Sequence, residues 1–246
     1  MATELDLTYR DFFLGAKRRR ISAPSEDLKN YQRSKLSKLE TIYWNLISGS
    51  DIFNVAHGFL SNRGCTTAAI NHIGYELTIM LDISKFFDSV TKDMVKSVSK
   101  EAAEDDRLFH RLGYTAQGFP TSPILANIAS IPMLLEINSF LKSLYGEQDK
   151  DNKKFAFTIY ADDIQISINR KFEKIARETR VRYSEYGFRR ILGINVGDKM
   201  RATRKTMRRI RAAKHQNNYH SLGGLTVWSK CLLPCKLRKK KQSKDK

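Results

Sequence analysis

The stretch Phe155-Ala-Phe-Thr-Ile-Tyr-Ala-Asp-Asp-Ile-Gln-Ile-Ser-Ile168 restricts what this chain can fold into more than any other. Phe155, Phe157 and Ile159 alternate along one run, and Ile164, Ile166 and Ile168 along the next. A period of two places each set on one face of a strand. Two such runs joined without a long loop form a hairpin, so Asp162 and Asp163 fall at its tip. Adjacent carboxylates there repel each other, a cost that is relieved when a cation sits between them. The bland alternative is a solvated turn that happens to carry two acids. What decides between them is whether the rest of the chain supplies the other parts of a cation site.

Composition narrows the partners. At 246 residues the chain can bury a real core, as one large domain or two lobes, and 41% hydrophobic with 28% charged residues is ordinary for a globular protein. No uninterrupted run of about 18 apolar residues exists, so no transmembrane helix is expected. Met1 to Leu7 carries acids and lacks the basic and apolar regions of a secretory signal. Cys65, Cys231 and Cys235 are too few for a disulfide framework and suit a reducing cytosol, so a cytoplasmic protein is expected. With His215 and His220 those cysteines lack the tight C-x-x-C pair of a zinc knuckle.

The formal net charge is +18, which points to a polyanion, nucleic acid above all. An anionic membrane surface is the rival, but no strongly apolar amphipathic segment is present to insert, and no membrane partner is expected. The charge is also localised. Lys17-Arg18-Arg19-Arg20 is one cluster, residues Lys199 to Lys214 hold eight basic residues and no acid, and Lys236 to Lys241 is a third. A solvated charge run is the plain reading of any one of these; three together favour a phosphate backbone, bound less tightly as salt rises.

Along the chain, Ser25 with Glu26 and Asp27 predicts a helix start, and the apolar spacing carries it to about Ile47. A short helix over about Thr66–His72 and a strand over Glu76–Leu81 lead to Asp82, an acid closing an apolar strand. Thr91 to about Arg111 is polar with a helical pattern. Ser122-Pro123 reads as an N-cap and first-turn pair opening a long apolar helix, kinked by Pro132 and ended by Gly146. Lys171–Tyr186 reads as an amphipathic helix and residues 200–214 as a helix with an apolar stripe (Met200, Thr203, Met207, Ile210, Ala213) and a basic side. Leu222 to Trp228 reads as a strand or hairpin.

Taken together, three segments resemble the motifs of reverse transcriptases, and most closely the prokaryotic retron-type branch. Tyr160-Ala161-Asp162-Asp163 is similar to the catalytic tetrapeptide, Leu81-Asp82-Ile83-Ser84-Lys85-Phe86-Phe87-Asp88 to the first aspartate motif, and Gln117-Gly118-Phe119-Pro120-Thr121-Ser122-Pro123 to QGxPTSP. Three matches in the family's order are far more specific than any one. Arg19 to Pro24 resembles RxIxAP, Ala56-His57-Gly58-Phe59 with His72 resembles the retron AHGF segment, and Asn195 with Lys199 resembles NxxK. Leu222 to Val227 resembles VTGLxV. Ala68 stands where the retron segment has asparagine, and Gly223 and Trp228 depart from the last motif.

The resemblance implies an α+β right-hand polymerase: fingers and N-terminal part over 1–75, palm with an antiparallel sheet over 76–221 (with about 91–116 contributing to the fingers), and 222–246 as the end of the palm and a vestigial basic thumb. It implies RNA-directed DNA synthesis with two Mg2+ ions, held by Asp82 and Asp162 with Asp163 in support. Arg19 would clamp the triphosphate, Phe87 exclude the 2′-hydroxyl, Gln117, Gly118 and Tyr160 line the nucleotide pocket, and Lys199 protonate the leaving group. Lys17, Arg63, Arg201, Arg204, Lys205, Arg208 and Arg209 are the candidate nucleic-acid contacts. A dedicated structured noncoding RNA would be the template, with dNTPs, nascent DNA and an accessory or effector protein as further partners, in an anti-phage setting. A group II intron-like or abortive-infection enzyme, able to work without an external template, and a catalytically idle RNA-binding scaffold stay open as alternatives.

Overall fold

The computed structural model describes residues 6–16, 18–146, 154–168, 189–192, 194–196, 200–216 and 218–231. Backbone contacts divide the chain into two units that interleave in sequence. The first holds Met1–Ser61, Asp82–Leu144 and Ala161–Asp163; the second holds Asn62–Leu81, Tyr145–Tyr160 and Ile164–Lys246. The helix expected over Lys171–Tyr186 lies outside the described residues.

In the first unit, β1 (Tyr9–Leu14) and β2 (Arg19–Pro24) pair antiparallel, from Tyr9 opposite Pro24 to Leu14 opposite Arg19. Helix α1 (Glu26–Ile47) starts where its capping residue predicts, because the Ser25 hydroxyl accepts the Leu28 N–H at 3.2 Å. Its buried stripe is Leu28, Gln32, Leu39, Tyr43 and Ile47. Past α3 (Phe86–Ser89), the single helical segment expected from Thr91 is broken into α4 (Lys92–Val98) and two 3-10 turns, Glu101–Ala103 and Asp106–Leu108. The cause is local: Ser99 Oγ accepts the Ala102 N–H at 3.2 Å and Asp105 Oδ1 the Arg107 N–H at 3.1 Å. Short polar side chains bonding backbone in this way compete with helix continuation.

Helix α5 (Ser122–Tyr145) is the core helix, with Ile124, Leu125, Ile128, Ile131, Leu134 and Leu141 buried. Its cap is Thr121 and not Ser122: the Thr121 carbonyl accepts the Leu125 N–H at 3.1 Å, while the Ser122 hydroxyl is buried without a hydrogen bond. Pro132 lies inside α5 without ending it, and Gly146 closes it at a positive φ of 82°. By length and composition alone α5 could cross a membrane, with a mean hydropathy of 1.5 over its most apolar window, although no transmembrane helix is expected from the sequence. That expectation required an unbroken apolar run, which Asn127, Ser130 and Glu136 interrupt. Inside the fold, 61% of the window is buried.

In the second unit, except for the end residues Asp82 and Asp163, β3 (Leu77–Asp82), β4 (Phe155–Tyr160) and β5 (Asp163–Ile168) form a sheet in the order β3-β5-β4, with β5 central. Strand β4 is buried on both faces from Phe155 to Ile159, where simple alternation predicts one. The extra burial is made tolerable by neutral hydrogen bonds. His72, fully buried, bonds Ser167 Oγ through Nδ1 at 2.8 Å and Thr158 Oγ1 through Nε2 at 2.7 Å. Thr78 Oγ1 meets Ser167 Oγ at 2.6 Å, and Thr158 Oγ1 donates to Gln165 Oε1 at 3.2 Å. All three strands are thereby joined through groups that satisfy one another.

Helix α2 (Cys65–Ile70) packs on β4 and on a three-stranded meander, β6 (Arg189–Ile191), β7 (Ile194–Val196) and β8 (Met200–Ala202), around Ala69, Ile191, Ile194, Val196 and Met200. The helix expected to begin at Met200 therefore begins later. Thr203 caps α6 (Arg204–His215) by accepting the Thr206 N–H at 3.3 Å. The segment from Leu222, expected as a strand or hairpin, belongs to a helix, α7 (Tyr219–Cys231). Its half-buried residues Leu222, Leu225 and Thr226 follow helical spacing, while Gly223 and Gly224 are exposed. Packing against α6 offsets the two glycines, which cost roughly 1 kcal/mol each in a helix.

Candidate active site

Strand β3 is buried at Leu77 and Thr78 and emerges at Asp82, whose side chain is exposed. The β4–β5 hairpin turns through Ala161 and Asp162, with Ala161 at a φ of 55°. A left-handed first residue suits a two-residue hairpin turn but costs about 1 kcal/mol for alanine. Lys85, three residues past Asp82, is likewise left-handed at a φ of 52°. The Ile83 N–H donates to the Asp162 carbonyl at 2.9 Å, which ties the two acid-bearing segments together. Burial first, and then the charges of Asp162 and Asp82, push the Asp163 carboxyl above its ordinary value. The three acids thus share one field.

A cavity of about 660 Å³ opens on these residues within the first unit. Asp82 and Asp162 line it together with Arg19, Phe87 and Gln117. Of the adjacent phenylalanines, Phe86 is core at 7% exposure, whereas Phe87 is half-buried and forms cavity wall. Thr115 Oγ1 donates to the Phe87 carbonyl at 2.6 Å and the Phe59 ring lies 6.2 Å away, so the Phe87 position is fixed from two sides. Gly118 has a φ of 117°, and a Cβ there would collide with the Ser22 carbonyl. Its permissiveness serves the packing of β2, whose Ser22 N–H donates to the Gln117 carbonyl at 2.9 Å.

Several lining residues were not singled out by sequence reasoning: Phe13, Arg18, Arg20, Lys85 and Asp88. Lys85 and Asp88 sit inside the first aspartate motif and Arg20 inside the RxIxAP motif, so the signal was there to follow. The other expected residues are scattered. Tyr160, in the second unit, is half-buried, and burial and its hydrogen bond with the Cys65 thiol push its hydroxyl pKa up. Arg63 is half-buried. Arg204, Lys205, Arg208 and Arg209 are exposed on α6, whereas Arg201 is exposed on β8 and not on the helix. Met207, expected on the apolar stripe, is 42% exposed. Lys17 and Lys199 lie outside the described residues. His57 and His72 are structural: both are buried, and His57 Nε2 bonds the Asn54 carbonyl at 2.9 Å.

A model of the family "Reverse transcriptase (RNA-dependent DNA polymerase)" matches residues 11–191. The chain belongs to that family. Among curated reverse transcriptases it is 27% identical over 188 residues to the retron Mx162 reverse transcriptase of Myxococcus xanthus, covering 66% of this chain and 36% of that protein. It is 27% identical over 270 residues to the retron Mx65 reverse transcriptase of the same organism, covering 88% of this chain and 58% of the relative. The chain therefore spans about a third to three fifths of the length of these relatives, and the retron branch read from the motifs is the one they occupy. A solved structure of telomerase from Candida albicans superposes with a TM-score of 0.56 at 10% identity, over 82% of this chain and 47% of that one. That likeness supports the α+β polymerase fold.

Reverse transcriptases are divalent-metal-dependent polymerases, and the acids of this one suit such an ion. Neither Asp82 nor Asp162 forms a side-chain hydrogen bond or ion pair among the described residues, so both carboxylates are open to a cation. No group of three or more His, Cys, Asp or Glu side chains that could hold a metal ion is found among the described residues, and Asp163 does not line the cavity with Asp82 and Asp162. Magnesium needs no such group: it keeps several waters and is held by one or two carboxylates plus substrate phosphates.

Proposed function

We propose that this reverse transcriptase copies RNA into DNA by magnesium-dependent nucleotidyl transfer at the cavity bounded by Asp82 and Asp162. The observation that carries the reading is the convergence, in one cavity, of two unpaired carboxylates with Phe87, Gln117 and three consecutive arginines. Asp82 and Asp162 would hold two Mg2+ ions and Asp163 would support them. Bound there, the ions supply charge stabilisation and lower the pKa of the attacking hydroxyl.

The protein's own residues do the rest. Phe87 leaves no room for a 2′-hydroxyl, which favours deoxynucleotides. Gln117 offers a donor and an acceptor to the nucleotide. The arginines take phosphate oxygens, since a guanidinium matches them with two parallel N–H donors. The exposed cations of α6 follow the backbone of the template duplex. The β1–β2 hairpin region acts as fingers and the β3–β5–β4 sheet as palm. A dedicated structured noncoding RNA is the template, with an accessory protein completing a defence function in the cytosol. Primer extension on an RNA template with labelled dNTPs tests the reading. DNA synthesis by the parent that is absent in Asp162→Asn supports it; RNA binding with no synthesis by either protein replaces it with the scaffold reading.

A further inference from the structure

The resemblance pointed to Arg19 as the phosphate clamp, but the residue the structure prepares is Arg20. Arg20 lines the cavity with its side chain 32% exposed. Its Nη2 donates to Asp11 Oδ2 at 2.8 Å and lies 3.1 Å from His110 Nε2. Among the described residues its Nε and Nη1 make no bond, so one edge of the guanidinium is anchored and another is open. Among the described residues Arg19 has no comparable anchor.

The anchor is itself held on every side. Burial pushes the Asp11 carboxyl up, but hydrogen bonds from Arg20, Ser22 and His110 outweigh it and hold the group well below the usual carboxylate range. Ser22 Oγ donates to Asp11 Oδ1 at 2.6 Å, and His110 Nε2 approaches Oδ2 at 3.1 Å. The Leu112 N–H donates to His110 Nδ1 at 3.1 Å, so Nδ1 is an acceptor and the ring proton sits on Nε2, facing Asp11. The imidazole side chain is fully buried, stacked on Tyr114 at 4.4 Å and 19° and tilted against Tyr9 at 5.1 Å. The Arg20 guanidinium carbon lies 5.7 Å from the centre of the same Tyr114 ring. A partly exposed ion pair contributes little to stability. A buried histidine, two tyrosines and a serine committed to one such pair are more than a hairpin needs.

We propose that Asp11 and His110 are positioning residues, holding Arg20 with an open N–H edge for the phosphate oxygens of an incoming nucleoside triphosphate. Fixing the guanidinium beforehand removes the entropy of immobilising a long side chain from the cost of binding. The identity of the ligand rests on the polymerase reading; the preorganised anion site does not.

The test measures three quantities on the parent and on Asp11→Asn, His110→Gln and Arg20→Lys: calorimetric binding of inorganic tripolyphosphate, dNTP KM and kcat, and Tm. Asp11→Asn and His110→Gln are expected to weaken tripolyphosphate about 10-fold and to raise KM equally, with kcat within about 3-fold of the parent, as expected for losing a charge-assisted hydrogen bond that orients a ligand group. Arg20→Lys keeps the charge but not the fork, and gives the same KM rise with Tm unchanged, so the proposal does not depend on the first two variants folding. Arg10→Ala, on the same hairpin outside the cavity, leaves all three unchanged. Loss of Tm and kcat together with an unaltered KM, or tripolyphosphate binding equal to the parent's, overturns the positioning role. Variant-sensitive tripolyphosphate binding by a parent that copies no template overturns the polymerase reading and leaves the site standing.

Discussion

Strands β3, β4 and β5 carry two polar constellations of opposite kind. Their interior has His72, Thr78, Thr158, Gln165 and Ser167, neutral groups that satisfy one another at 2.6 to 3.2 Å. At the strand end and turn are Asp82, Asp162 and Asp163, acids of one sign whose mutual repulsion helps push the Asp163 carboxyl up. The interior network minimises its own energy; the acid tip does not. A fold gains nothing from the second arrangement, and the physical reason to keep it is a ligand that supplies the missing positive charge. The contrast separates groups that hold the protein together from groups that, under the proposed function, hold metal and substrate.

Substitutions should split along the same line. The largest effect is expected from Asp162→Asn, which lowers polymerisation by about 10³-fold, equivalent to the several kcal/mol of charge stabilisation attributed to a catalytic ion. Its Tm should not fall, because a repelling charge has been removed; thermal denaturation beside primer extension checks both halves. In the interior, His72→Leu removes one hydrogen bond from each of Thr158 and Ser167, which keep Gln165 and Thr78 as partners, at about 0.5–1.5 kcal/mol each. Tm should drop by several degrees, with activity per folded molecule near the parent's at a permissive temperature. A catalytic loss without a Tm change would break the comparison.

Phe87→Ala should raise ribonucleotide incorporation about 10- to 100-fold, the range that one apolar contact can discriminate. Unchanged sugar selectivity in competition assays would remove Phe87 from that role. The smallest effect is on pH. Because the Asp163 pKa is raised in the folded state, the native protein binds that proton more tightly than the unfolded chain does. Stability from this group is therefore greatest at low pH, declines between the unfolded and the raised folded pKa, and is flat above. Asp163→Asn should remove that slope from a Tm-against-pH series, and Mg2+ should raise Tm at neutral pH in the parent more than in the variant.

What could be read without coordinates was local. Ser25 capped its helix as expected because capping involves only the next few residues. The β4–β5 hairpin was visible because strand period and a two-residue turn are both sequence-local. The misreadings came where neighbours in space decided. The Leu222 segment looked extended by composition, but the pattern of half-burial and its packing on α6 make it helical. Ser99 and Asp105 looked compatible with a continuing helix until their side chains took backbone N–H groups. That Phe86 is buried while Phe87 is half-buried at the cavity was decided by packing.

By itself, the sequence determined the family, the hairpin with its two acids, and the order of the motifs around it, because each is written in contiguous residues whose chemistry is set by type and spacing. The tertiary structure alone decided which charges are paired. Arg19 and Arg20 are neighbours of identical chemistry, yet Arg20 is the one anchored, because Asp11 lies across the strand pair and is itself held by His110, which arrives from 99 residues away. Electrostatic and hydrogen-bond energies depend on distance in space, and no local pattern encodes that.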